Sequence, residues 1–422
     1  MFTPLHRELG QASGDLSWDM LEKAIELEIS ETADLDFKQT LPFVNAQWQD
    51  EFAKDIAAQA NGGGGLLIFG LAETRGRGTA REIVPVDMSE QDRLEMQRVA
   101  FSKVHPPVVG LKFHSIIDPV GLGTVVAVSI PGSVDAPHLV LRNHYFGAPV
   151  RNDASTIWMN ERQIEAAYES RFAGREFRTK KLNELYADTV EDLDLRNNVW
   201  VVAVARPIMP MTRVLRIVAG EAQEVAGLGS RTARVLRETG YGLLDNLVDL
   251  VPRPGLRRWT WSYPSTNALQ SGRKQARMEV HFDGSLTAAL QVGGLERGWE
   301  DALHHVGATR IEAFLGDFAS MMRATATKFG IQADYALRTG LAWEQPNIVY
   351  VRPQDPQMPG SFLAADLGMR RFRPVESELF LSGSFAALAD SLLEHGLDVI
   401  NQAGIRYPHI LRTGQAVNKA IR

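Results

Sequence analysis

Acidic side chains and one lysine flank the predicted strands in the N-terminal part of the chain. Glu31 and Asp36 precede a continuous apolar run, Glu73 follows it, and Lys38 shares a strand face with Asp36. Clustered carboxylates that hold Mg²⁺ or Mn²⁺ neutralise developing charge and activate a water or hydroxyl, which phosphodiester cleavage requires. Burying like charges together is costly unless a cation offsets them, so a tight acidic cluster would itself indicate a metal.

The spacing of the first two carboxylates limits how they can meet. Positions five apart lie on opposite faces of a strand and well apart around a helix, so Glu31 and Asp36 converge only across an irregular segment. Residues 32–34 provide such a bend, and Asp34 is the competing partner if the strand starts earlier. The alternative interpretation is that these acids are exposed charges beside a strand and a turn. Lys38 has two equal interpretations, contact with a scissile phosphate or simple pairing with Asp36.

Asn61 and the four glycines 62–65 could cradle a phosphate through backbone N–H groups. A P-loop, however, runs from strand to helix and ends in Gly-Lys-Ser/Thr, whereas these glycines follow a predicted helix and precede a strand. Asn and Gly both tolerate the left-handed cap conformation. The run is therefore predicted to end the helix and allow tight entry into the sheet, and nucleotide hydrolysis is not expected.

Composition excludes several kinds of site. The chain has 422 residues and no cysteine, which excludes a disulfide scaffold, a thiolate zinc site, an iron–sulfur cluster and a cysteine nucleophile. The histidines have no metal-ligand spacing, and adjacent His304 and His305 cannot face one site from a helix. A net charge of −6 counts mildly against a nucleic-acid partner, although binding depends on where the cations lie. With no signal peptide and no membrane span in the pattern, we expect a soluble, cytoplasmic protein without a membrane partner.

Hydrophobic periodicity and turn residues predict the elements around these positions. The predicted N-terminal elements are helix 16–29, strand 35–38, helix 45–60, strand 66–71, a hairpin of 108–117 with 124–130, a strand pair of 138–141 with 148–151, and a helix that opens at Asn160 with a capping box to Gln163. The predicted C-terminal elements are a strand from Trp200, a hairpin of 277–282 with 285–292, helix 299–329, strand 348–352 and helix 384–403.

A weaker phosphate-binding pattern lies between Val225 and Leu236. Gly227-Leu228-Gly229 resembles the turn of a helix-hairpin-helix element, which presents its amides to a phosphate, and Arg231 and Arg234 would add charge. The favoured interpretation is an ordinary glycine turn before an amphipathic helix, because a lone Gly-x-Gly is poor evidence.

An ordered set of motifs in the first half of the chain resembles the Schlafen-type AlbA_2 domain, a divergent relative of the Alba nucleic-acid-binding fold. The motifs are Glu31 with Leu35-Asp36-Phe37-Lys38, Asn61 with its four glycines, the run from Leu67 to Glu73, Pro106-Pro107, and the segment from Val150 to Thr156. The usual pattern has a Glu, four residues and Glu-Phe-Lys, then an Asn-Gly-Gly cap, then a strand that ends in Gly-Val-x-Asp. The resemblance covers residues 18–170.

This resemblance implies roles for individual residues, because nuclease members of the family use three carboxylates as a metal-dependent ribonuclease site. Carried over by position, the catalytic and metal-binding residues are Glu31, Asp36 and Glu73, with Mg²⁺ or Mn²⁺ as cofactor. Asp36 replaces the usual Glu and Glu73 the usual Asp, which keeps the charge and changes the reach by one methylene in opposite directions. Cations nearby are the expected nucleic-acid-binding residues: Lys38, Arg75, Arg77, Arg151, Arg171 and Arg175. For Arg75 and Arg77 a plain surface turn is the alternative.

The predicted fold class is α+β. We expect an N-terminal extension (1–17), an AlbA_2-like mixed-sheet domain that binds nucleic acid (18–172), a charged linker or helix (173–198) and a C-terminal α+β domain (199–422). The C-terminal domain would add substrate contacts, a partner protein or a homodimer contact.

Three functional hypotheses follow. The first is a Schlafen-like endoribonuclease that cleaves structured RNA such as tRNA in defence or stress, with RNA favoured over DNA only by the resemblance. The second is a non-catalytic DNA- or RNA-binding, regulatory or assembly module with a degenerate site. The third is a protein–protein scaffold that touches no nucleic acid, consistent with the acidic pI.

Overall fold

A computed structural model gives the fold of most of the chain. The described residues are 3–11, 14–44, 46–74, 76–121, 123–142, 145–152, 155–196, 198–209, 216–238, 242–247, 249–263, 275–294, 303–331, 333–355, 357–358, 361–365, 367–381 and 383–421. The chain divides into two compact units, Met1–Glu176 and Phe177–Arg422. Both units contain helices as well as strands, and the strands form several sheets, so the predicted α+β class is confirmed.

The first unit is built from short helices and eleven described strands. Its helices are α1 (Pro4–Glu8), α2 (Trp18–Glu26), α3 (Trp48–Asn61), α4 (Glu90–Lys103) and α5 (Glu161–Glu191), which crosses the boundary between the units, and a 3₁₀ turn spans Pro42–Val44. Its strands are β1 (Leu35–Lys38), β2 (Gly64–Phe69), β3 (Leu71–Thr74), β4 (Thr79–Ile83), β5 (Val104–His105), β6 (Lys112–Ile117), β7 (Thr124–Pro131), β8 (Leu139–Arg142), β9 (Tyr145–Gly147), β10 (Pro149–Asn152) and β11 (Ser155–Trp158).

A mixed four-stranded sheet in the order β1-β2-β7-β6 forms the centre of this unit. Only β1 and β2 are parallel. Alternate residues of β2 face opposite sides: Leu67 and Phe69 pack with α3 and α4, whereas Leu66 and Ile68 pack with α1 and α2. Because helices cover both faces, the strand has the continuous apolar sequence from which it was predicted.

The glycine run ends α3 and leads directly into β2, as predicted. Gly63 and Gly64 have φ values of 101° and 99°, a region that favours glycine. A Cβ on Gly64 would lie 2.8 Å from the carbonyl oxygen of Ile130, so this approach of β2 to the end of β7 leaves no room for a side chain.

The predicted strand pairs of the first unit are partly right. The hairpin of β6 with β7 and the capping box between Asn160 and Gln163 are confirmed. The pairing of 138–141 with 148–151 is wrong, because β8 pairs with β9 and β10 pairs with β11. The chain reverses twice in this segment, so each strand pairs with its immediate successor. The short β9, with exposed Tyr145 and Phe146, lacks the buried alternation that would have predicted it.

The second unit contains a seven-stranded antiparallel sheet in the order β13-β14-β15-β16-β12-β18-β21, and a smaller sheet, β17-β19-β20. Its strands are β12 (Val199–Pro207), β13 (Arg253–Gly255), β14 (Arg258–Tyr263), β15 (Ala276–His281), β16 (Leu286–Gln291), β17 (His305–Gly307), β18 (Tyr335–Trp343), β19 (Val349–Arg352), β20 (Gly368–Met369) and β21 (Val375–Leu379). Its helices, besides the end of α5, are α6 (Ala219–Leu236), α7 (Leu244–Leu247), α8 (Ala308–Phe329), α9 (Phe385–Asn401) and α10 (Gly414–Ile421).

Apolar side chains from alternate positions of the large sheet form a core on each of its faces. Met278 and Val280 of β15 lie in the core that includes α6, α8 and α9. Trp200 and Val202 of β12 pack on the opposite face with Leu182 of α5. The predicted strand from Trp200, the hairpin of β15 with β16, the strand at β19 and the helix at α9 are confirmed.

Two predictions for the second unit are wrong. The helix expected from Trp299 begins at Ala308, because His305–Gly307 instead pair with β19; residues 295–302 lie outside the described part. Residues 225–236 form neither a helix-hairpin-helix element nor a glycine turn, since α6 is continuous through both glycines. Gly229 lies against Met321 of α8, whose side chain leaves no space for a Cβ, so this glycine serves helix packing.

No described helix combines the length and the apolar character needed to span a membrane.

Candidate active site

The three carboxylates singled out in the sequence meet in space. Glu31 forms a side-chain hydrogen bond with Asp36, and its Oε1 also accepts the backbone N–H of Phe37 at 2.7 Å. The Oε2 atoms of Glu31 and Glu73 lie 3.6 Å and 3.7 Å from the point where a Cβ on Gly78 would stand. Glu31 therefore lies between the other two carboxylates, close to each of them.

A tight bend before β1 brings Glu31 back over Asp36, as the spacing argument requires. Thr32 and Leu35 exchange backbone hydrogen bonds, with N···O distances of 3.0 Å and 3.4 Å. Asp34, the competing partner, is turned towards Arg7, whose guanidinium donates to both of its carboxylate oxygens at 2.6 Å and 2.8 Å. The bend thus selects Asp36 rather than Asp34 as the neighbour of Glu31.

Glu73 reaches the cluster through the β3–β4 hairpin. The backbone N–H of Glu31 donates to the carbonyl oxygen of Gly78 at 2.7 Å, which fixes the start of β4 beside Glu31. Glu73 lies in β3 opposite Ala80, next to an irregularity in the register between Ala72 and Glu73. Such irregularities redirect side chains at the edge of a sheet, and this one lies where Glu73 approaches the other acids.

Two cations are built into the acidic cluster. The Nζ atom of Lys38 lies 2.8 Å from Oδ2 of Asp36 and 3.9 Å from Oδ2 of Asp55. Nη2 of Arg151 lies 3.6 Å from Oδ1 of Asp36 and donates to the carbonyl oxygen of Thr32 at 3.5 Å. Pairing with Asp36, one of the two interpretations of Lys38, is therefore present in the structure.

Burial and mutual repulsion determine the charges of the cluster. Burial, the hydrogen bond to Asp36 and the nearby charges of Asp36 and Glu73 raise the pKa of Glu31 to about 8. Burial works against the charge of Lys38, but Asp36 and Asp55 outweigh it and raise the pKa of the ammonium group. Burial also raises the pKa of Asp55. At neutral pH the cluster therefore keeps a proton on Glu31, since Lys38 and Arg151 do not balance all of its acids.

Carboxylate oxygens are the donors that Mg²⁺ and Mn²⁺ prefer, so the donor type of this site fits such an ion. In the described part of the chain, however, no group of three or more His, Asp or Glu side chains is placed so that it could hold a metal ion. Glu31 and Glu73 are the two acids whose outer oxygens border the same space beside Gly78, while Asp36 is engaged by Lys38 and Arg151.

The other predicted cations occupy different surroundings. Arg77 is exposed in the turn between β3 and β4, and Arg75 lies outside the described residues. Arg171 and Arg175 of α5 both contact Oδ1 of Asp135, at 3.2 Å and 2.7 Å. Of the predicted nucleic-acid-binding residues, Lys38 and Arg151 are the two with described contacts to the carboxylate cluster.

Sequence reasoning missed Asp55 and the contacts by which Asn61 shapes the site. Asp55 of α3 has its Oδ2 atom 3.9 Å from the Nζ atom of Lys38. Asn61 at the end of α3 joins two strands: its amide donates to the carbonyl oxygens of His138 at 3.0 Å and Pro149 at 2.8 Å, and its Oδ1 accepts the N–H of His138. The available signal was a polar stripe, because Asp55 and Gln59 stand one turn apart on a helix whose other central positions are mainly apolar.

Comparison with known proteins agrees with the motifs in the first unit. Residues 31–160, a part of the chain only, match the family model described as Schlafen, AlbA_2, and this match suggests nucleic-acid binding. No curated protein matches the chain.

Two solved structures resemble part of the chain. The DIP2311 protein from Corynebacterium diphtheriae is 16% identical over 37% of this chain, with a TM-score of 0.24, and the match covers only 26% of that protein. The N-terminal domain of a RecG-related protein from Nitrosomonas europaea is 17% identical over 35% of this chain and 94% of its own length, with a TM-score of 0.26.

Proposed function

We propose, from the premise that residues 31–160 are a Schlafen AlbA_2 domain, that this chain binds structured RNA and cleaves it as a divalent-metal-dependent endoribonuclease. One observation carries the proposal. Three carboxylates from two segments of the chain, Glu31 and Asp36 from one and Glu73 from the other, converge beside the cations Lys38 and Arg151. Phosphodiester cleavage needs this combination, because cations attract the phosphate backbone, whereas carboxylates transfer protons and bind the divalent cation.

Each side chain has a task that its surroundings support. The side chain of Arg151 is only 5% exposed and holds Asp36 within the cluster, whereas the side chain of Lys38 is 36% exposed and can reach a phosphate oxygen. Lys38 is half-buried between two acids, which keeps it charged. Glu31 holds a proton at neutral pH, which it would release when a divalent cation binds.

Mg²⁺ or Mn²⁺ is the cofactor that we propose for cleavage. Glu31 and Glu73 would hold it, with Asp36 supporting Glu31 through their hydrogen bond. When bound, such an ion neutralises the charge that develops on the phosphate and activates a water or hydroxyl.

The test uses the purified full-length chain with total tRNA and Mn²⁺, with and without a chelator. Wild-type protein should cleave, and the chelator should stop cleavage. Asp36→Asn and Glu73→Gln should each reduce the cleavage rate by on the order of a hundredfold or more while the far-ultraviolet circular dichroism stays unchanged. Asp34→Asn is the matched control, since it removes a carboxylate of the same bend that pairs with Arg7 instead. Equal cleavage by all variants, or cleavage insensitive to the chelator, would contradict the proposal.

A second candidate function is a binding module without catalysis. Two observations favour it. Asp36 is paired with both Lys38 and Arg151, and no group of three metal-ligating side chains in the described residues is placed to hold a metal ion. Such a module would bind RNA or DNA with an affinity that falls steeply with salt, and Glu73→Gln would leave that affinity nearly unchanged.

A further inference from the structure

The two-stranded ribbon of β10 and β11 leads from the carboxylate cluster to an exposed aromatic surface. In its antiparallel register Arg151 pairs with Thr156 and Pro149 pairs with Trp158. Directly paired residues point to the same face of a ribbon, and so do residues two apart along one strand. Arg151 and Trp158 therefore share one face, separated along the ribbon by two residues, or about 7 Å.

Trp158 offers a flat and accessible ring at this position. Its side chain remains 42% exposed in a unit whose other large apolar groups are mostly buried. A Cβ on Gly147 would lie 2.7 Å from the six-membered part of the indole, so the ring rests directly on backbone at a residue without a side chain. The ring is thus supported by the backbone while much of its surface faces solvent.

A second exposed aromatic residue, Tyr145, lies in the short strand β9. Gly147 is the last residue of β9, and Tyr145, two positions earlier, points to the same side of that strand as the Trp158 ring. Tyr145 is 61% exposed. Tyr145 and the Trp158 ring therefore lie on the same side of β9.

We propose that Trp158, with Tyr145 on the same side of β9, is a stacking site for unpaired bases of an RNA strand whose backbone lies at the cations Lys38 and Arg151. This inference rests on the proposed function and narrows its substrate, because only a single-stranded segment can present splayed bases to the rings. Base stacking on aromatic side chains tolerates any sequence, since every base has a π-face. The occupant is a nucleic-acid strand rather than a protein because Trp158 shares its face of the ribbon with Arg151, one of the two cations beside the acidic cluster.

The ribbon supplies a matched control for the test. Ile157 precedes Trp158, is exposed to a similar extent at 38%, and points to the opposite face. The full-length Trp158→Ala, Trp158→Phe and Ile157→Ala variants are compared with wild type by fluorescence anisotropy. The probes are a uridine-only RNA of about 15 nucleotides and a fully paired RNA duplex of the same length. Chelator is present throughout, so cleavage does not interfere.

Trp158→Ala should bind the single strand about five- to a hundredfold more weakly than wild type, and the duplex about equally well. Trp158→Phe should restore most of the affinity, and Ile157→Ala should behave as wild type. A series of single abasic sites along the probe should identify one or two positions whose missing base weakens binding to wild type but not to Trp158→Ala. Because this measurement alters the RNA and not the protein, a change in the fold of the protein cannot explain its result.

The outcomes separate this inference from the proposed function. If wild type binds the single strand and Trp158→Ala binds it equally well, the stacking site is wrong while RNA binding stands. An equal loss for single strand and duplex also overturns it, because stacking on unpaired bases cannot weaken duplex binding. If wild type binds neither probe, both proposals fail, and a protein partner becomes the remaining explanation for the exposed aromatic surface.

Discussion

The guanidinium of Arg151 on β10 lies 3.6 Å from the carboxylate of Asp36 on β1, although the two strands belong to different sheets. The last turn of α3 connects them, because Asn61 hydrogen-bonds to the backbone of Pro149, two residues before Arg151. The position of this cation therefore depends on a helix end far from it in sequence.

Asn61→Ala tests that dependence. The substitution removes three hydrogen bonds to His138 and Pro149, so it should lower the free energy of unfolding by on the order of 2 kcal/mol. It should also lower RNA affinity, because Arg151 loses its alignment with Asp36. Urea unfolding and anisotropy measure the two effects. Asn401→Ala, at the exposed end of α9, is the control and should change neither by more than about 0.5 kcal/mol.

The pH dependence of the cleavage rate should reflect the ionisation of the Glu31 carboxyl group. Its pKa is raised to about 8, so the carboxylate that cleavage requires forms only as pH rises towards that value. The rate should increase about tenfold per pH unit below the inflection and level off above it. A rate that is flat between pH 6 and 9 under single-turnover conditions would contradict this assignment.

Glu31→Gln provides the comparison for that profile. The variant keeps the size of the side chain and a hydrogen-bond acceptor for the Phe37 N–H, but it cannot ionise. Its residual cleavage should lack the inflection near pH 8. The folded state of wild type also binds a proton here between pH 4.5 and about 8 that the unfolded chain does not, so stability from this group is lost as pH rises through that window.

Lys38→Gln should change the salt dependence of RNA binding. If Lys38 contacts a phosphate, its loss removes about one released counterion, and the slope of log affinity against log salt should become shallower by about 0.7 for a single strand. Lys23→Gln is the control, because Lys23 is exposed on α2 and pairs with Asp19. An unchanged slope would mean that Lys38 only pairs with Asp36 and Asp55.

Glu312 should make the stability of the second unit depend on pH. One of its oxygens accepts the backbone N–H groups of His409, Ile410 and Leu411, yet burial raises its pKa to about 7. The folded state therefore holds a proton that the unfolded state releases between pH 4.5 and about 7, and stability falls as pH rises across this window. The shift is worth on the order of 3 kcal/mol, at about 1.4 kcal/mol per tenfold change in proton affinity.

Glu312→Gln isolates that contribution, because the amide oxygen can still accept backbone hydrogen bonds but cannot ionise. Chemical unfolding at pH 5 and pH 8 should show a smaller difference in stability for the variant than for wild type. The same difference in both proteins would assign the pH dependence to other groups.

Local pattern was sufficient for about half of the described elements of the fold. The alternation around β1, the apolar run of β2, the one-turn spacing of Trp48, Phe52 and Ile56, and the capping box at Asn160 each act over a few residues. Prediction was wrong where neighbours in space decide. Gly227 and Gly229 indicate a turn by type, but packing against Met321 makes a continuous helix more favourable.

For the candidate site, the sequence by itself determined the acidic residue types, the need for a bend between Glu31 and Asp36, and the match of residues 31–160 to the Schlafen AlbA_2 family model. Only the tertiary structure decided that Asp34 turns to Arg7, that Asp55 reaches Lys38, and that Arg151 reaches Asp36. The reason is physical. Backbone periodicity sets which face of its own element a side chain occupies, whereas the charges that it meets depend on how distant segments pack.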